Sequence, residues 1–133
     1  MRRKKAYFSD KVASLINEPL NNGVIKHAHG SAEVKGECGT RMIVFLKINK
    51  GIIVNAKFVT DGCGVSYACG SAVTEMIQNK TCVEAAKLTP DDIVQYLGGL
   101  PASDLHCANL CIYALLASLQ QYEDKKPEDT IDS

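Results

Sequence analysis

The chain has 133 residues, enough for one domain with its own core and no need of disulfide staples. Hydrophobic residues make up 46% and charged residues 23%, and fifteen basic residues cancel fifteen acidic ones, so nothing in the balance points to nucleic acid or a membrane surface. No apolar run approaches the roughly 20 residues of a membrane span, and the basic start Met1-Arg2-Arg3-Lys4-Lys5 lacks the apolar stretch of a secretory signal, so the cytoplasm is the expected location.

Ser9 caps a short helix whose Val12, Leu15 and Ile16 share one face, and Glu18-Pro19 stops it. After the turn Asn21-Asn22-Gly23 the segment Ala28 to Lys35 alternates as a half-exposed strand, with Ala28, Gly30, Ala32 and Val34 on one side. Gly36-Glu37-Cys38-Gly39-Thr40 is a loop, and Met42 to Ile48 is a second, almost wholly apolar strand. Asn49-Lys50-Gly51 turns the chain into a third, Ile52 to Val59, with Ile52, Val54, Ala56 and Phe58 opposed to Asn55 and Lys57. Three consecutive strands with short links predict an antiparallel sheet with one face open to helices. Asp61-Gly62-Cys63-Gly64 ends the sheet. A helix from about Val65 to Gln78 carries the stripe Val65, Ala68, Cys69, Ala72, Val73, Met76 and Ile77. Thr81-Cys82-Val83-Glu84 fits a capping box opening a short helix; Thr89-Pro90 opens the next, which Gly98 closes. The last helix runs from about Leu105 to Tyr122, with Asp104 as its expected N-cap, and is apolar on most of its circumference, so it should be largely buried. The expectation is one α+β domain over residues 1–125, a three-stranded antiparallel sheet packed on one face by about five helices, with residues 126–133 as a disordered tail.

Six cysteines in a chain without an export signal should be thiols, and such a cluster more often serves metal or redox chemistry than disulfides. Cys38 sits in the loop between two strands, beside a glycine. Cys63 lies where strand turns to helix, between Gly62 and Gly64. Cys107 follows His106 in the first turn of the last helix, where unpaired N–H groups favour a thiolate. Cys69 falls on an apolar stripe and reads as core, and Cys82 reads as incidental. Cys111, one turn after Cys107, reads as core, with a spare thiol below the site as the alternative. His27 and His29 read as solvent-facing. Cys38, Cys63, His106 and Cys107 make a soft donor set that suits tetrahedral zinc or a small iron-sulfur cluster alike. Their long, irregular spacings are unlike a zinc finger. The residues alone lead to a cysteine-rich metal site on an α+β domain, and no further.

At these positions the sequence resembles the IscU/NifU N-terminal family of iron-sulfur cluster assembly scaffolds, over nearly the whole chain from Tyr7 to about Lys125. Tyr7 to Val12 and Glu18 to Gly23 look like the family's opening. Cys38-Gly39 looks like its first ligand motif and Asp61-Gly62-Cys63-Gly64 like its second. Gly98-Gly99-Leu100-Pro101 with His106-Cys107 looks like the third, in its NifU-like form. The resemblance implies a SufE/NifU-like fold and a scaffold rather than an enzyme. It implies a [2Fe-2S] cluster on Cys38, Cys63 and Cys107, with His106 as fourth ligand or close neighbour, and zinc on the same ligands in the cluster-free form. It implies a cysteine desulfurase as sulfur source and Cys107 as persulfide acceptor. Ferredoxin or another electron donor and apo iron-sulfur proteins are the further partners it implies. Because the chain stops after this domain, it should lack the further cluster-carrying domains of full-length NifU.

Two departures stand out. Thr40 occupies the place where the family usually has aspartate. Threonine is neither a hard oxygen ligand nor a good proton acceptor, so a longer-lived cluster is expected. Leu100-Pro101-Ala102-Ser103-Asp104 stands for the family's Leu-Pro-Pro-Val-Lys, so its dedicated Hsp70-type chaperone is not carried over as a partner. A zinc-bound, SufU-like sulfur acceptor is the alternative, disfavoured by the uninterrupted connection from Cys63 to Cys107 and by His106.

Overall fold

The computed structural model describes residues 8–125. The basic start Met1 to Lys5, Tyr7 and the tail expected over 126–133 lie outside the described residues. The elements are α1 (Asp10–Asn17), β1 (Gly30–Lys35), β2 (Arg41–Asn49), β3 (Ile52–Thr60), α2 (Gly64–Ile77), α3 (Cys82–Ala85), α4 (Pro90–Leu97) and α5 (Leu105–Lys125). The strands form one antiparallel sheet in the order β1-β2-β3, as expected. The β2–β3 link turns on Lys50 and Gly51, both at positive φ (53° and 78°), the backbone whose twist suits a two-residue hairpin.

The register corrects one face of β3. Leu46 pairs with Ala56 and Lys47 with Asn55, but Ile48 then pairs with Ile53. Val54 is the extra residue of a bulge, and a strict alternation carried through a bulge inverts every side chain beyond it. Ile53 therefore joins Ala56 and Phe58 in the core, while Ile52 and Val54 are exposed. Loops close the outer edge of β3 at both ends. Gly23 N–H donates to Phe58 O (2.8 Å) and Phe58 N–H to Asn21 O (3.0 Å); farther along, Ile53 N–H donates to Lys80 O (2.8 Å) and Asn79 N–H to Ile53 O (2.7 Å).

The helices cover the inner face, α5 under β1 and β2, α2 under β3. α2 is buried beyond its apolar stripe, because α1, α4 and α5 pack on its other sides: Ser66, Gly70, Ser71 and Thr74 are all inside. The Ser71 and Thr74 hydroxyls bond locally. Ser71 Oγ donates to Tyr67 O (2.8 Å) and Thr74 Oγ1 to Gly70 O (2.7 Å), so neither is left wanting. Gly70 is glycine because Phe58 lies against it: a Cβ there would stand 2.5 Å from the ring. Gly70→Ala is expected to cost about 1–3 kcal/mol through overpacking, read as a lower urea midpoint.

The start of α5 differs from expectation. A 3-10 turn, Ala102–Asp104, capped by Pro101, runs directly into it, so Asp104 lies inside the turn and is not an N-cap. The helical run Ala102–Lys125 is long and apolar enough, by length and composition only, to cross a membrane, though no unbroken apolar run in it approaches a span. Here it is a core helix. Ala108, Cys111, Leu115 and Leu119 are buried, while Leu105, Tyr113 and Leu116 are exposed, so one side rather than most of it is covered.

Candidate metal centre

The ligand candidates come from the two loops at one end of the sheet and from the first turns of α2 and α5. The β1–β2 connection is tight: Gly36 N–H donates to Thr40 O (2.8 Å) and Gly39 N–H to Gly36 O (2.9 Å), which leaves Cys38 exposed at the tip. Cys38 Sγ lies 3.3 Å from Thr40 Oγ1. Hydrogen bonds from the Thr40 hydroxyl and backbone favour the ionised sulfur and hold the Cys38 thiol below its ordinary value.

Across from Thr40, β3 ends at Thr60 and Asp61-Gly62 follow. Asp61 Oδ1 accepts Arg41 N–H (2.7 Å) and Oδ2 accepts Arg41 Nε (3.2 Å). The Arg41 N–H, and then its guanidinium, keep the Asp61 carboxyl below the usual carboxylate range. Gly62 leaves a gap that its neighbours fill. A Cβ there would meet Ser66 Oγ, and would stand 2.6 Å from Thr40 Cγ2 and 2.9 Å from Ser66 Cβ. Ser66 Oγ in turn lies 3.8 Å from Cys107 Sγ. A continuous row of contacts thus runs from Cys38 through Thr40, Gly62 and Ser66 to Cys107.

Cys63 is the N-cap of α2; its side chain makes no capping hydrogen bond and is exposed. Cys107, in the turn after the 3-10 segment, is 3% exposed, with His106 Nε2 3.7 Å from its sulfur. Burial pushes the Cys107 thiol up to about 12; the Ser66 hydroxyl opposes this, and the nearby Cys69, Cys63 and Asp104 add to it. This corrects the expected thiolate. The 3-10 turn places the helix end farther upstream, and desolvation outweighs what the end can supply.

His106 and Cys38 share a cleft of about 320 Å³ with Gly36, Glu37, Asn109, Leu110 and Tyr113. The four candidates are therefore gathered at one end of the molecule. They are not closed around a point: among the described residues no group of three or more His, Cys, Asp or Glu side chains is arranged to hold a metal ion. The donors are soft enough for iron or zinc, and binding would displace the Cys107 proton.

The other candidates lie elsewhere. Cys69 and Cys111 are fully buried, and a hydrogen bond to Cys69, followed by burial, raises the Cys111 thiol well above its ordinary value. Cys82 is half-buried at the start of α3. His27 and His29 are exposed, and His29 Nδ1 accepts Ile48 N–H (2.8 Å). Sequence reasoning missed Arg41, Asp61 and Ser66. The first two face each other only because the bulge at Val54 shifts the register: the unbulged hairpin would set Arg41 opposite Thr60, so no signal for the pair existed in the sequence.

The NifU-like N terminal domain profile matches residues 7–129. The chain belongs to this family. It is 39% identical over 116 residues to the iron-sulfur cluster assembly scaffold protein IscU 1 of Archaeoglobus fulgidus, covering 86% of this chain and 76% of that one. It is 38% identical over 125 residues to the nitrogen fixation protein NifU of a Nostoc species, covering 86% of this chain but only 41% of that longer relative. In fold it is similar to the N-terminal NifU-like protein of Brucella abortus, with a TM-score of 0.73, 16% identity, and coverage of 89% and 95% of the two chains. The α+β architecture with its three-stranded antiparallel sheet is thus that of the family.

Proposed function

We propose that this family member is a scaffold on which a [2Fe-2S] cluster is assembled and from which it is passed to apo-proteins. The supporting observation is the row of contacts that ties Cys38, the Cys63 turn and Cys107 to one end of the sheet. Cys38, Cys63 and Cys107 are the proposed ligands, and His106, beside the Cys107 sulfur, is the fourth ligand or its close neighbour. The cluster is cargo, so the chain holds and releases it rather than turning over a substrate. Sulfur arrives from a cysteine desulfurase as a persulfide, with Cys107 as acceptor, and a ferredoxin or another donor supplies electrons. Zinc takes the same thiolates when no cluster is present. The domain extends over residues 1–125.

The test is anaerobic incubation with iron, cysteine and a desulfurase, followed by visible spectroscopy. Alanine at Cys38, Cys63 or Cys107 is expected to abolish the chromophore, and alanine at Cys69 or Cys82 to leave it. A full chromophore in any of the first three variants would overturn the ligand assignment.

A further inference from the structure

Two strands deliver the two outer cysteines. Cys38 lies just before β2, and Cys63 just after β3. Beyond the last ladder pair, Met42 with Thr60, antiparallel strands ordinarily fray. Here Asp61 replaces the missing ladder partner with its side chain. Its carboxylate accepts Arg41 N–H at 2.7 Å and Nε at 3.2 Å, while Asp61 N–H donates to Arg41 O at 3.3 Å. The same carbonyl accepts the Thr60 hydroxyl at 2.6 Å, and that hydroxyl oxygen accepts Gly62 N–H at 3.2 Å. Residues on either side of this clasp meet directly, Thr40 filling the space beside Gly62.

We propose that Asp61 is a positioning residue for the ligand site, holding the Cys38 loop in fixed register with Cys63 through the Arg41 backbone; this rests on the scaffold reading above. The ion pair is the lesser part. Arg41 and Asp61 side chains are 58% and 49% exposed, and pairs so wetted contribute little. The short bond from the Arg41 backbone N–H to the Asp61 side-chain oxygen carries the clasp. Without it the two loops move independently, and a centre that needs both loses its preorganisation.

The experiment compares Asp61→Ala, Asp61→Asn and Arg41→Met in the full chain. Cadmium is titrated into the cluster-free protein and followed by thiolate-to-metal ultraviolet absorption. Cluster loss to an iron chelator and thermal melting are measured in parallel. Asp61→Ala is expected to weaken cadmium binding and speed cluster loss about ten-fold, the low end of what outer-shell changes do to metal sites. Asp61→Asn, whose amide oxygen still accepts Arg41 N–H, and Arg41→Met, which keeps that N–H, should stay within about two-fold of the parent. All three should melt within a few degrees of it. Parental cadmium affinity in Asp61→Ala overturns the proposal. So does an Asp61→Asn defect equal to that of Asp61→Ala, which would mean that the carboxylate acts by its charge. If the cadmium order holds but no variant or parent assembles a cluster, the clasp stands and the scaffold reading falls.

Discussion

Iodoacetamide at pH 8 is expected to modify Cys38 in the cluster-free protein at least about a hundred times faster than Cys107, because only the thiolate reacts. With its thiol at about 12, Cys107 offers roughly one thiolate in ten thousand at that pH. Cys38 sits at an exposed loop tip and is held below its ordinary value by Thr40. Burial adds a steric factor in the same direction. The Cys107 rate should climb about ten-fold per pH unit, levelling only near 12. The sign for stability follows from the same shift. A thiol raised by folding contributes stability fully below its unfolded value of about 8.5, and loses it as the pH rises toward about 12. The urea midpoint should fall across that window, and Cys107→Ala should flatten the fall. Timed quenching and peptide mass spectrometry read the rates. Equal rates would mean that the helix start prevails over desolvation at Cys107. For sulfur delivery the implication is direct: an acceptor thiol at Cys107 has to give its proton to solvent first, which movement of the first turn of α5 into water or coordination of an arriving metal ion would favour.

Gly62→Ala is expected to lower cluster yield at least about ten-fold while leaving a folded protein. The added methyl would overlap Ser66 Oγ and stand 2.6 Å from Thr40 Cγ2 and 2.9 Å from Ser66 Cβ. Thr40 and Ser66 cannot both stay. Moving Thr40 carries the Cys38 loop away from Cys63, and moving Ser66 removes the hydroxyl beside Cys107. Folding is spared because Gly62 lies at a loop rather than in the core. Circular dichroism checks the fold and visible absorption checks the cluster. A parental yield would show that the row of contacts from Cys38 to Cys107 does not set the site.

Local signals carried far in the sequence. The capping boxes at Thr81 with Glu84 and at Thr89 with Asp92 form as read, because both partners of each lie within one turn. The three strands and their order followed from short links. What escaped depends on distant partners. The bulge at Val54 coincides with the Asn79 to Lys80 segment bonding Ile53, a contact no local pattern announces. The second buried face of α2 is hidden because Ser71 and Thr74 spend their hydroxyls on their own helix and so look like surface residues. Cys38, Cys63, His106 and Cys107 stood out as a set through their places at loops and helix starts and through the family resemblance. That no three of the described side chains are gathered to hold a metal ion, and that burial silences Cys107, are properties of packing and needed coordinates.

A three-stranded sheet has two rims, and an unpaired rim invites another chain to add a strand. On β3 that route to aggregation is obstructed, since the loops at residues 21–23 and 79–80 already use the main-chain groups of Phe58 and Ile53. Strand addition along β3 is therefore hindered at both ends of that strand. A tendency to form fibrils under mild destabilisation should appear first in variants that loosen Asn21 or Lys80.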